Sequence, residues 1–274
     1  MTALTADAVA ALDPARLFSL DGRRAIVTGA AGGIGRWLCA GLGAAGARVL
    51  TTDVDEAGLA SLRRELGDCG VEAAVLAVDL RDPDAPERIV TGAVDALGGV
   101  DILVNCAAVN RRMPLFDVDP ETWDFVTSVD LRVPFFLAQA AARRMREAGG
   151  GAILNISSLN AFFALEQIGV YGPAKAGLSQ LTRVMAIEWA GDGIRANAIA
   201  PGFMDTPLAA PIWENPDMRR WIFNRCAMER PGRPDELIGT ALLLCSDAGS
   251  FVTGQTIVVD GGVLAGGRWF TPDR

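Results

Sequence analysis

Short apolar runs alternate with longer amphipathic stretches from Arg24 to near the end of the chain. Runs rich in Val, Ile and Leu are typical of strands buried on both faces of a parallel sheet. The stretches between them repeat apolar residues at helical spacing, which predicts helices packed on that sheet. The strand candidates are 25–28, 48–52, 74–78, 102–105, 152–156, 196–200 and 256–259, and the helix candidates are 34–46, 56–68, 84–97, 120–147, 172–191 and 234–245. This alternation predicts an α/β fold, a doubly wound parallel sheet of about seven strands with helices on both faces.

One stretch, residues 203–230, departs from the alternation. It lies between a predicted strand and a predicted helix and carries several aromatic residues, among them Phe203 and Trp213. Long insertions of this kind often close over a binding site, so we expect a substrate lid here. Residues 1–22 precede the first strand and are interpreted as an N-terminal arm. No linker, repeat or low-complexity segment divides the rest, so we expect one domain over 23–274.

The composition narrows the range of functions. The 274 residues include 25 basic and 33 acidic side chains, for a net charge of −8, which disfavours nucleic acid and anionic membranes as partners. The chain has no histidine, which excludes a Ser-His-Asp triad and His-ligated metal sites, and we predict no metal. Its five cysteines contain no C-x-x-C pair, and neither a signal peptide nor a membrane-spanning run is recognised. We therefore expect a reduced, cytoplasmic protein.

A glycine-rich turn follows the first predicted strand. Residues 28–35 read TGAAGGIG and open the first predicted helix. Glycines permit a tight turn and a close backbone approach to a pyrophosphate, while the helix N-terminus supplies N–H donors and partial positive charge. A turn of this kind is weak evidence alone, but its strand–turn–helix context is the one that dinucleotide binding requires. We predict a Rossmann-type dinucleotide site whose cradle comprises Gly29, Gly32, Gly33, Ile34 and Gly35.

An acidic residue, Asp53, ends the second predicted strand. A carboxylate there accepts hydrogen bonds from the adenosine ribose and repels a 2′-phosphate, so we predict NAD rather than NADP. The alternative is that Asp53 only caps the next helix, because Asp is a preferred N-cap residue. Asp79 and Leu80, after the third strand, are candidates for contact with the adenine. Asp82 is an alternative cap for the following helix.

The chain contains one tyrosine and one lysine, Tyr171 and Lys175, four residues apart on a predicted helix. That spacing places both on one helical face. Every other basic residue is arginine, so a lysine at this position suggests a role for a compact charge that arginine does not fill. An ammonium beside a phenol stabilises the phenolate, which makes the pair a plausible acid/base unit. The alternative is a surface pair without a function.

The motifs together resemble those of the short-chain dehydrogenase/reductase family. The matching segments are TGAAGGIG at 28–35, Asp53, NCAA at 105–108, NISS at 155–158, YGPAK at 171–175 and PGFMDT at 201–206. The resemblance implies that Tyr171 gives or takes the substrate hydroxyl proton, that Lys175 lowers its pKa and holds the nicotinamide ribose, and that Ser158 binds the substrate carbonyl, with Ser157 as the alternative. It further implies coenzyme contacts from Asn105, Ala107, Pro201, Gly202 and Thr206.

Two positions depart from the family pattern. Cys106 and Ala108 stand where the family usually has Asn and Gly, in a segment whose contacts are largely through the backbone. Asp130 stands where the family usually has Asn, the fourth member of the catalytic set. An ionised Asp130 near Lys175 is expected to stabilise the ammonium and to oppose a Tyr171 phenolate. If the position acts through its backbone, the change is mild.

The substrate is the most open question at this stage. Residues 110–112 and 214–237 look similar to sugar-acid dehydrogenases of the gluconate 5-dehydrogenase and 2-keto-3-deoxygluconate type within the family. Arg111 and Arg112 are candidates for gripping a substrate carboxylate, and the alternative is that they are solvated or interface arginines. Asn160 is a candidate for binding sugar hydroxyls. Phe203 and Trp213 suit the apolar face of a sugar or an apolar ring.

The leading hypothesis is therefore an NAD-dependent alcohol/ketone oxidoreductase acting on a small molecule, a polyol or sugar acid. A dehydrogenase of an apolar cyclic alcohol and an acyl-thioester ketoreductase are enzyme alternatives. A dinucleotide-binding sensor or scaffold is the non-enzyme alternative, because a fold alone does not establish a function. The family resemblance also implies a homotetramer or homodimer.

Overall fold

In the computed structural model, residues 4–6, 9 and 12–267 are described. All seven strands in these residues run parallel in one sheet, in the order β3-β2-β1-β4-β5-β6-β7. The strands are β1 (Arg24–Thr28), β2 (Arg48–Asp53), β3 (Ala73–Ala77), β4 (Ile102–Asn105), β5 (Gly151–Ile156), β6 (Ile194–Pro201) and β7 (Thr256–Val259). The predicted α/β class and doubly wound sheet are confirmed, and each predicted strand is found within two residues of its expected bounds.

Helices cover both faces of the sheet. They are α1 (Pro14–Leu17), α2 (Gly33–Ala44), α3 (Glu56–Asp68), α4 (Ala85–Leu97), α5 (Pro120–Thr127), α6 (Val133–Glu147), α7 (Tyr171–Trp189), α8 (Ala210–Glu214), α9 (Pro216–Arg225) and α10 (Ile238–Cys245). Alternate strand residues point to opposite faces and so build two cores. Val27 packs in the core formed with α2, α3 and α10, whereas its neighbour Ile26 packs in the core formed with α4, α6 and α7.

The strand order reverses between β1 and β4, which are hydrogen-bonded to each other at the centre of the sheet. β2 and β3 extend to one side, and β5, β6 and β7 extend to the other. The loops that follow β1 and β4 therefore leave in opposite directions and open a crevice at the carboxyl ends of the strands. This topology fixes where a ligand site is expected before any side chain is considered.

The predicted helix 120–147 is not continuous. A π-helical turn, Ser128–Arg132, separates α5 from α6, and the Val133 N–H donates to the Ser128 carbonyl, five residues back. Such turns insert one extra residue into a helix and change the direction of the side chains around them. Asp130 lies in the middle of this turn and is completely buried.

The segment 203–230, called the lid from here on, contains the short helices α8 and α9. Its ends are closed by a bridge between Met204 and Gly232. The indole N–H of Trp213 donates to the Met204 carbonyl at 3.2 Å, which ties α8 to the start of the lid. Asn215 caps α9 by accepting from the N–H groups of Asp217 and Met218.

The predicted arm 1–22 lies partly outside the described residues. Within the described part, α1 is a single turn capped by Asp13, and Leu20 is buried in the first core, so the end of this segment is part of the folded domain. Within residues 4–6, 9 and 12–267, we find no helix that combines the length and the apolar character of a membrane span.

Candidate active site

The glycine-rich loop brings its backbone close to that of the loop after β4. Gly29 has φ +64°, and a Cβ on it would lie 2.7 Å from the Ala107 Cα. A Cβ on Gly35 would collide with the Gly29 carbonyl oxygen. The loop therefore has bare backbone where α2 begins, at a helix N-terminus that has no side-chain cap. The first N–H groups of a helix have no acceptor within the helix, and such a helix start without obstructing side chains fits a pyrophosphate.

Asp53 closes the side of this loop. Its Oδ2 accepts from the Ala31 N–H at 3.1 Å and its Oδ1 accepts from the Asp55 N–H at 3.1 Å. The residue that caps α3 is Asp55, which accepts from the Gly58 N–H. Asp53 is thus held against the glycine loop at the end of β2 and does not cap the helix. The nearby Arg36 is turned toward α3, where it pairs with Glu65.

The residues predicted to contact the adenine are otherwise engaged. Arg81 forms hydrogen bonds and an ion pair with the Asp79 carboxylate and lowers the pKa of Asp79 below its ordinary value. Leu80 packs against the second core. Asp82 pairs with Arg88 and does not cap α4. The structure does not bring Asp79 or Leu80 into the lining of the main cavity described below.

Thr28 and Asn105 build the floor of the site. The Thr28 hydroxyl accepts from the N–H groups of Cys106 and Ala107, which fixes the loop after β4 next to the glycine turn. The Asn105 side chain is buried and donates to Asn155 Oδ1 at 2.8 Å. Its side chain therefore lies beneath the site and is not part of the cavity lining, and the predicted coenzyme contact of Asn105 stays a prediction. Asn105 is directed inward because a buried amide must be hydrogen-bonded, and its partner lies on the adjacent strand.

The first turn of α7 brings the single tyrosine and lysine together. Lys175 is 1% exposed, and its Nζ donates to the Ile156 carbonyl at 3.1 Å. The same Nζ lies 5.6 Å from the centre of the Tyr171 ring and 3.8 Å from Asp130 Oδ1. A buried ammonium needs such partners, because an unpaired charge in the interior is very unfavourable. The alternative interpretation of Tyr171 and Lys175 as a surface pair is thereby excluded.

Several groups act on the proton of Tyr171. Burial raises the pKa of Tyr171, because a phenolate is poorly solvated in the interior. The positive charge of Lys175 lowers this pKa, and the negative charge of Asp130 raises it. The nearby Ser158 hydroxyl lowers it as well. The sum of these effects is a pKa above that of an ordinary tyrosine.

The two neighbouring serines have different roles in the fold. The Ser157 hydroxyl donates to the Lys175 carbonyl and lies 2.6 Å from the Ser179 hydroxyl, so it fastens β5 to α7. The Ser158 hydroxyl lines the cavity, accepts from the Asn160 N–H and donates to Asn160 Oδ1 at 3.2 Å. Ser157 also lines the cavity, but its hydroxyl is engaged with α7, so Ser158 is the better candidate of the two for a substrate contact.

The cavity at the carboxyl edge of the sheet has a volume of about 1130 Å³. It runs from the glycine loop past the Tyr171 phenol to the inner side of the lid. A volume of this order can hold a dinucleotide together with a small substrate. The residues that were predicted from the sequence and that line it are Gly29, Gly32, Gly33, Ile34, Gly35, Ala107, Arg112, Ser158, Asn160, Tyr171, Lys175, Pro201, Gly202, Phe203 and Thr206.

Two of the predicted substrate residues lie elsewhere. Arg111 turns toward α5, where its guanidinium stacks over the Phe125 ring at 4.4 Å and pairs with Glu121. Trp213 packs against Phe223 within the lid and does not line the cavity. Neighbouring residues in an extended loop point to opposite sides, so Arg112 enters the cavity while Arg111 leaves it. The predicted substrate contacts of Arg111 and Trp213 are therefore not supported by their positions.

Sequence reasoning missed a guanidinium on the lid. Arg225, in the last turn of α9, lines the cavity with its guanidinium carbon 4.5 Å from the centre of the Trp221 ring and 5.2 Å from that of Phe163. Its position in a stretch rich in arginines gave no signal that this one faces inward. In the part of the chain that the structure describes, no carboxylate is found within ion-pair distance of either Arg112 or Arg225.

Comparison with known proteins identifies the family. A family model described as enoyl-(acyl carrier protein) reductase matches residues 29–264. A short-chain type dehydrogenase/reductase from Mycobacterium marinum has a TM-score of 0.86 at 33% identity, over 90% of this chain and 97% of that chain. The chain belongs to the short-chain dehydrogenase/reductase family. The resemblance inferred from the sequence motifs is thereby confirmed.

Within the family, sugar-acid enzymes are among the similar proteins. Gluconate 5-dehydrogenase of Gluconobacter oxydans is 36% identical over 247 residues, which cover 90% of this chain and 96% of that protein. A gluconate 5-dehydrogenase from Burkholderia cenocepacia, solved in complex with NADP and tartrate, has a TM-score of 0.88 at 37% identity, over 92% of this chain and 99% of that chain. These relatives are oxidoreductases that, by their names, act on an alcohol or its ketone.

Proposed function

We propose that this protein is an NAD-dependent oxidoreductase that interconverts a secondary alcohol and a ketone on a sugar acid or a related polyol. The observation that carries the proposal is the position of Tyr171 on the cavity wall, between a buried Lys175 and the Ser158 hydroxyl. An acid/base group beside a fixed charge, facing a cavity that begins at a dinucleotide cradle, suits hydride transfer coupled to proton transfer.

The residues of this chain have separate tasks in that reaction. A bound nicotinamide supplies the hydride acceptor for oxidation and the hydride donor for reduction. In oxidation Tyr171 Oη accepts the hydroxyl proton of the substrate, and in reduction it returns a proton to the ketone oxygen. Lys175 stabilises the phenolate through its charge. The Ser158 hydroxyl, which here donates to Asn160, orients the substrate oxygen instead.

The coenzyme is held by the glycine loop and by the segment after β6. Gly29 and Gly35 allow the close backbone packing that places the start of α2 at the cavity, where the pyrophosphate would bind, and Pro201, Gly202 and Thr206 border the nicotinamide end of the cavity. The Asp53 carboxylate, fixed against the loop through Ala31, favours ribose hydroxyls and repels a 2′-phosphate. This argument supports NAD, although the related enzyme from Burkholderia cenocepacia was solved with NADP.

The substrate class follows from the charges at the lid end of the cavity. Arg112 and Arg225 line it as guanidiniums without a carboxylate partner among the described residues, and a guanidinium binds a carboxylate through paired hydrogen bonds. Glu166 and Asp217 also line the cavity, but Asp217 pairs with Arg220. Asn160 and Gln167 supply amides that suit sugar hydroxyls. A carboxylate-bearing polyol matches this set.

A second candidate is the oxidation of an apolar cyclic alcohol. Phe163, Phe203 and Trp221 line the same end of the cavity, and Trp221 contacts both other rings. Aromatic walls suit an apolar ring as well as the apolar face of a sugar. The description of the matching family model also keeps an acyl-thioester substrate among the alternatives to be assayed.

The first prediction concerns turnover. Wild-type protein and the variants Tyr171→Phe, Arg225→Met and Arg219→Met are assayed by absorbance for NADH and NADPH formation and consumption. The substrates are aldonates, their uncharged alditols, cyclohexanols and a β-ketoacyl thioester. We expect aldonate oxidation with NAD, a loss of about 10²-fold or more in Tyr171→Phe, and a fall of about tenfold to 10²-fold in kcat/KM for the aldonate alone in Arg225→Met.

Arg219 lies on the same helix but does not line the cavity, so Arg219→Met serves as the control and keeps wild-type selectivity. Full turnover by Tyr171→Phe contradicts the mechanism. Turnover of cyclohexanols alone favours the apolar ring, and strong NADPH-dependent thioester reduction favours the ketoreductase. Tight NADH binding without any turnover favours a dinucleotide-binding sensor or scaffold.

A further inference from the structure

A buried carboxylic acid, Asp130, lies next to the Tyr171–Lys175 pair. It is 0% exposed, its Oδ1 accepts from the Val109 N–H at 3.0 Å, and the same oxygen lies 3.8 Å from Lys175 Nζ. Its Oδ2 is buried and has no hydrogen-bond partner among the described residues. A buried carboxylate oxygen without a partner is unusual and calls for an explanation.

The π turn explains how this carboxylate reaches the site. Ser128–Arg132 adds a residue to the helix between α5 and α6, and Asp130 is at its centre. The turn packs against α7, and the Asp130 side chain reaches both Lys175 on α7 and the Val109 N–H in the loop after β4. Single π turns inside α-helices are frequently found at functional sites.

The groups that face Asp130 are few. α7 contributes the Lys175 ammonium and the Tyr171 phenol, and the loop after β4 contributes the Val109 N–H. Cys106 lies on the same loop. Burial raises the pKa of Cys106 to about 12, so this thiol carries no charge near neutral pH. The groups around Asp130 whose charge matters near neutral pH are thus the Lys175 ammonium, the Asp130 carboxyl group itself and the Tyr171 phenol.

We infer that Asp130 is a positioning residue that acts through its charge, holding the Lys175 ammonium while opposing ionisation of Tyr171. The inference rests on the proposed function, since it concerns whether Tyr171 donates or accepts the proton in that reaction. Opposing the phenolate extends to higher pH the range in which the phenol stays protonated and can donate a proton to a ketone oxygen. Asp130 therefore favours proton donation by Tyr171, which accompanies ketone reduction. It also raises the pH at which alcohol oxidation begins.

The directions of the pKa shifts of Asp130 and Tyr171 agree with this role. Burial raises the pKa of Asp130 to about 6, while Lys175 and the Val109 N–H oppose that rise. The group is consequently ionised above that pH, and its negative charge raises the pKa of Tyr171. Below pH 6 Asp130 takes up a proton, and the opposing charge disappears. An amide at this position removes the charge at every pH while keeping the shape.

The single tyrosine makes the inference directly measurable. Because Tyr171 is the only tyrosine in the chain, tyrosinate absorbance in an alkaline titration reports this residue alone. We expect the titration midpoint of Asp130→Asn to lie about one pH unit or more below that of the wild type, since a carboxylate charge near the phenol is removed. The pH profile of kcat/KM for alcohol oxidation should move to lower pH by a similar amount.

Two further variants define the controls. Asp124→Asn removes an exposed carboxylate from α5 and should leave the midpoint unchanged. Asp130→Glu keeps the charge, so its titration midpoint should stay closer to that of the wild type than the midpoint of Asp130→Asn does. This variant also tests the inference if Asp130→Asn folds poorly. Circular dichroism checks that each variant is folded before titration.

An unchanged midpoint in folded Asp130→Asn overturns the inference, because a purely structural Asp130 does not move the Tyr171 titration. The titration needs neither coenzyme nor substrate. A shifted midpoint without any turnover therefore leaves the electrostatic role standing while the proposed function fails. Turnover with an unshifted midpoint gives the opposite result.

Discussion

At the scale of single residues, two neighbouring carboxylates illustrate how position determines role. Asp53 ends β2 and accepts hydrogen bonds from the N–H groups of Ala31 and Asp55. Asp55, two residues later, caps α3. Of the two, Asp53 is hydrogen-bonded to the glycine turn, so the proposed choice between ribose hydroxyls and a 2′-phosphate is assigned to Asp53.

This difference yields a prediction for coenzyme choice. Asp53→Asn removes the charge that repels a 2′-phosphate, so the ratio of kcat/KM for NADP to that for NAD should rise by about tenfold or more. Steady-state kinetics with both coenzymes provide the measurement. Asp55→Asn is the matched control and should keep the wild-type ratio. An Asp53→Asn enzyme with an unchanged ratio would show that coenzyme choice is made elsewhere.

At the scale of elements, the turn from β1 into α2 depends on backbone contact. A Cβ on Gly35 would occupy the place of the Gly29 carbonyl oxygen, so α2 can start this close to β1 only without a side chain there. Gly67, near the end of α3, has no atom within 4 Å of an added Cβ. The same residue type is thus required in one helix and dispensable in another.

The two glycines give opposite predictions. Gly35→Ala should lower the free energy of unfolding by about 1–3 kcal/mol through overpacking, and should weaken NADH binding because the cradle is displaced. Gly67→Ala should raise the free energy of unfolding by up to about 1 kcal/mol through helix propensity and leave NADH binding intact. Urea unfolding and NADH fluorescence titration measure both effects. Wild-type NADH affinity in Gly35→Ala would contradict the tight-packing argument.

At the scale of the whole molecule, the two halves of the sheet meet at β1 and β4. Arg24 and Asp101 join them at the amino ends of these strands, through guanidinium–carboxylate bonds of 2.7 and 2.8 Å and a backbone bond from the Arg24 N–H. Burial alone would raise the pKa of Asp101, but the hydrogen bonds and charge of Arg24 lower it below its ordinary value. The Arg24–Asp101 ion pair lies at the edge of the sheet opposite the cavity.

We expect Asp101→Asn to lower the free energy of unfolding at neutral pH by about 1–3 kcal/mol, because the Arg24 guanidinium loses its charged partner. Since the pKa of Asp101 is depressed in the folded protein, its stabilisation is present above the pKa of an unfolded Asp and is lost as the pH falls through the folded pKa. The gap between wild type and variant should therefore narrow in acid.

Urea unfolding at several pH values measures the gap. Asp247→Asn, which breaks an exposed pair with Arg23 at 3.4 Å, is the control and should change the free energy of unfolding by less than about 1 kcal/mol. A gap that stays constant from neutral to acid pH would contradict the assignment to the Asp101 charge.

The sequence by itself determined which strands and helices follow one another along the chain, because the spacing of apolar residues shows which face of each element is buried. It also determined the glycine turn, Asp53 at the end of β2, and the pairing of Tyr171 with Lys175, since these depend on local spacing along one strand, turn or helix. These signals are short in range, and the structure retains each of them. The roles in catalysis that follow from them remain the proposal made above.

Only the tertiary structure decided which side chains enter the cavity. Arg112 lines it while Arg111 stacks on Phe125, and Arg225 reaches it from the lid. The π turn that brings Asp130 beneath Lys175 was likewise absent from the apolar pattern of 120–147. The physical reason is the same in each case, because the direction of a side chain is set by packing and hydrogen bonding with segments that are distant in the chain.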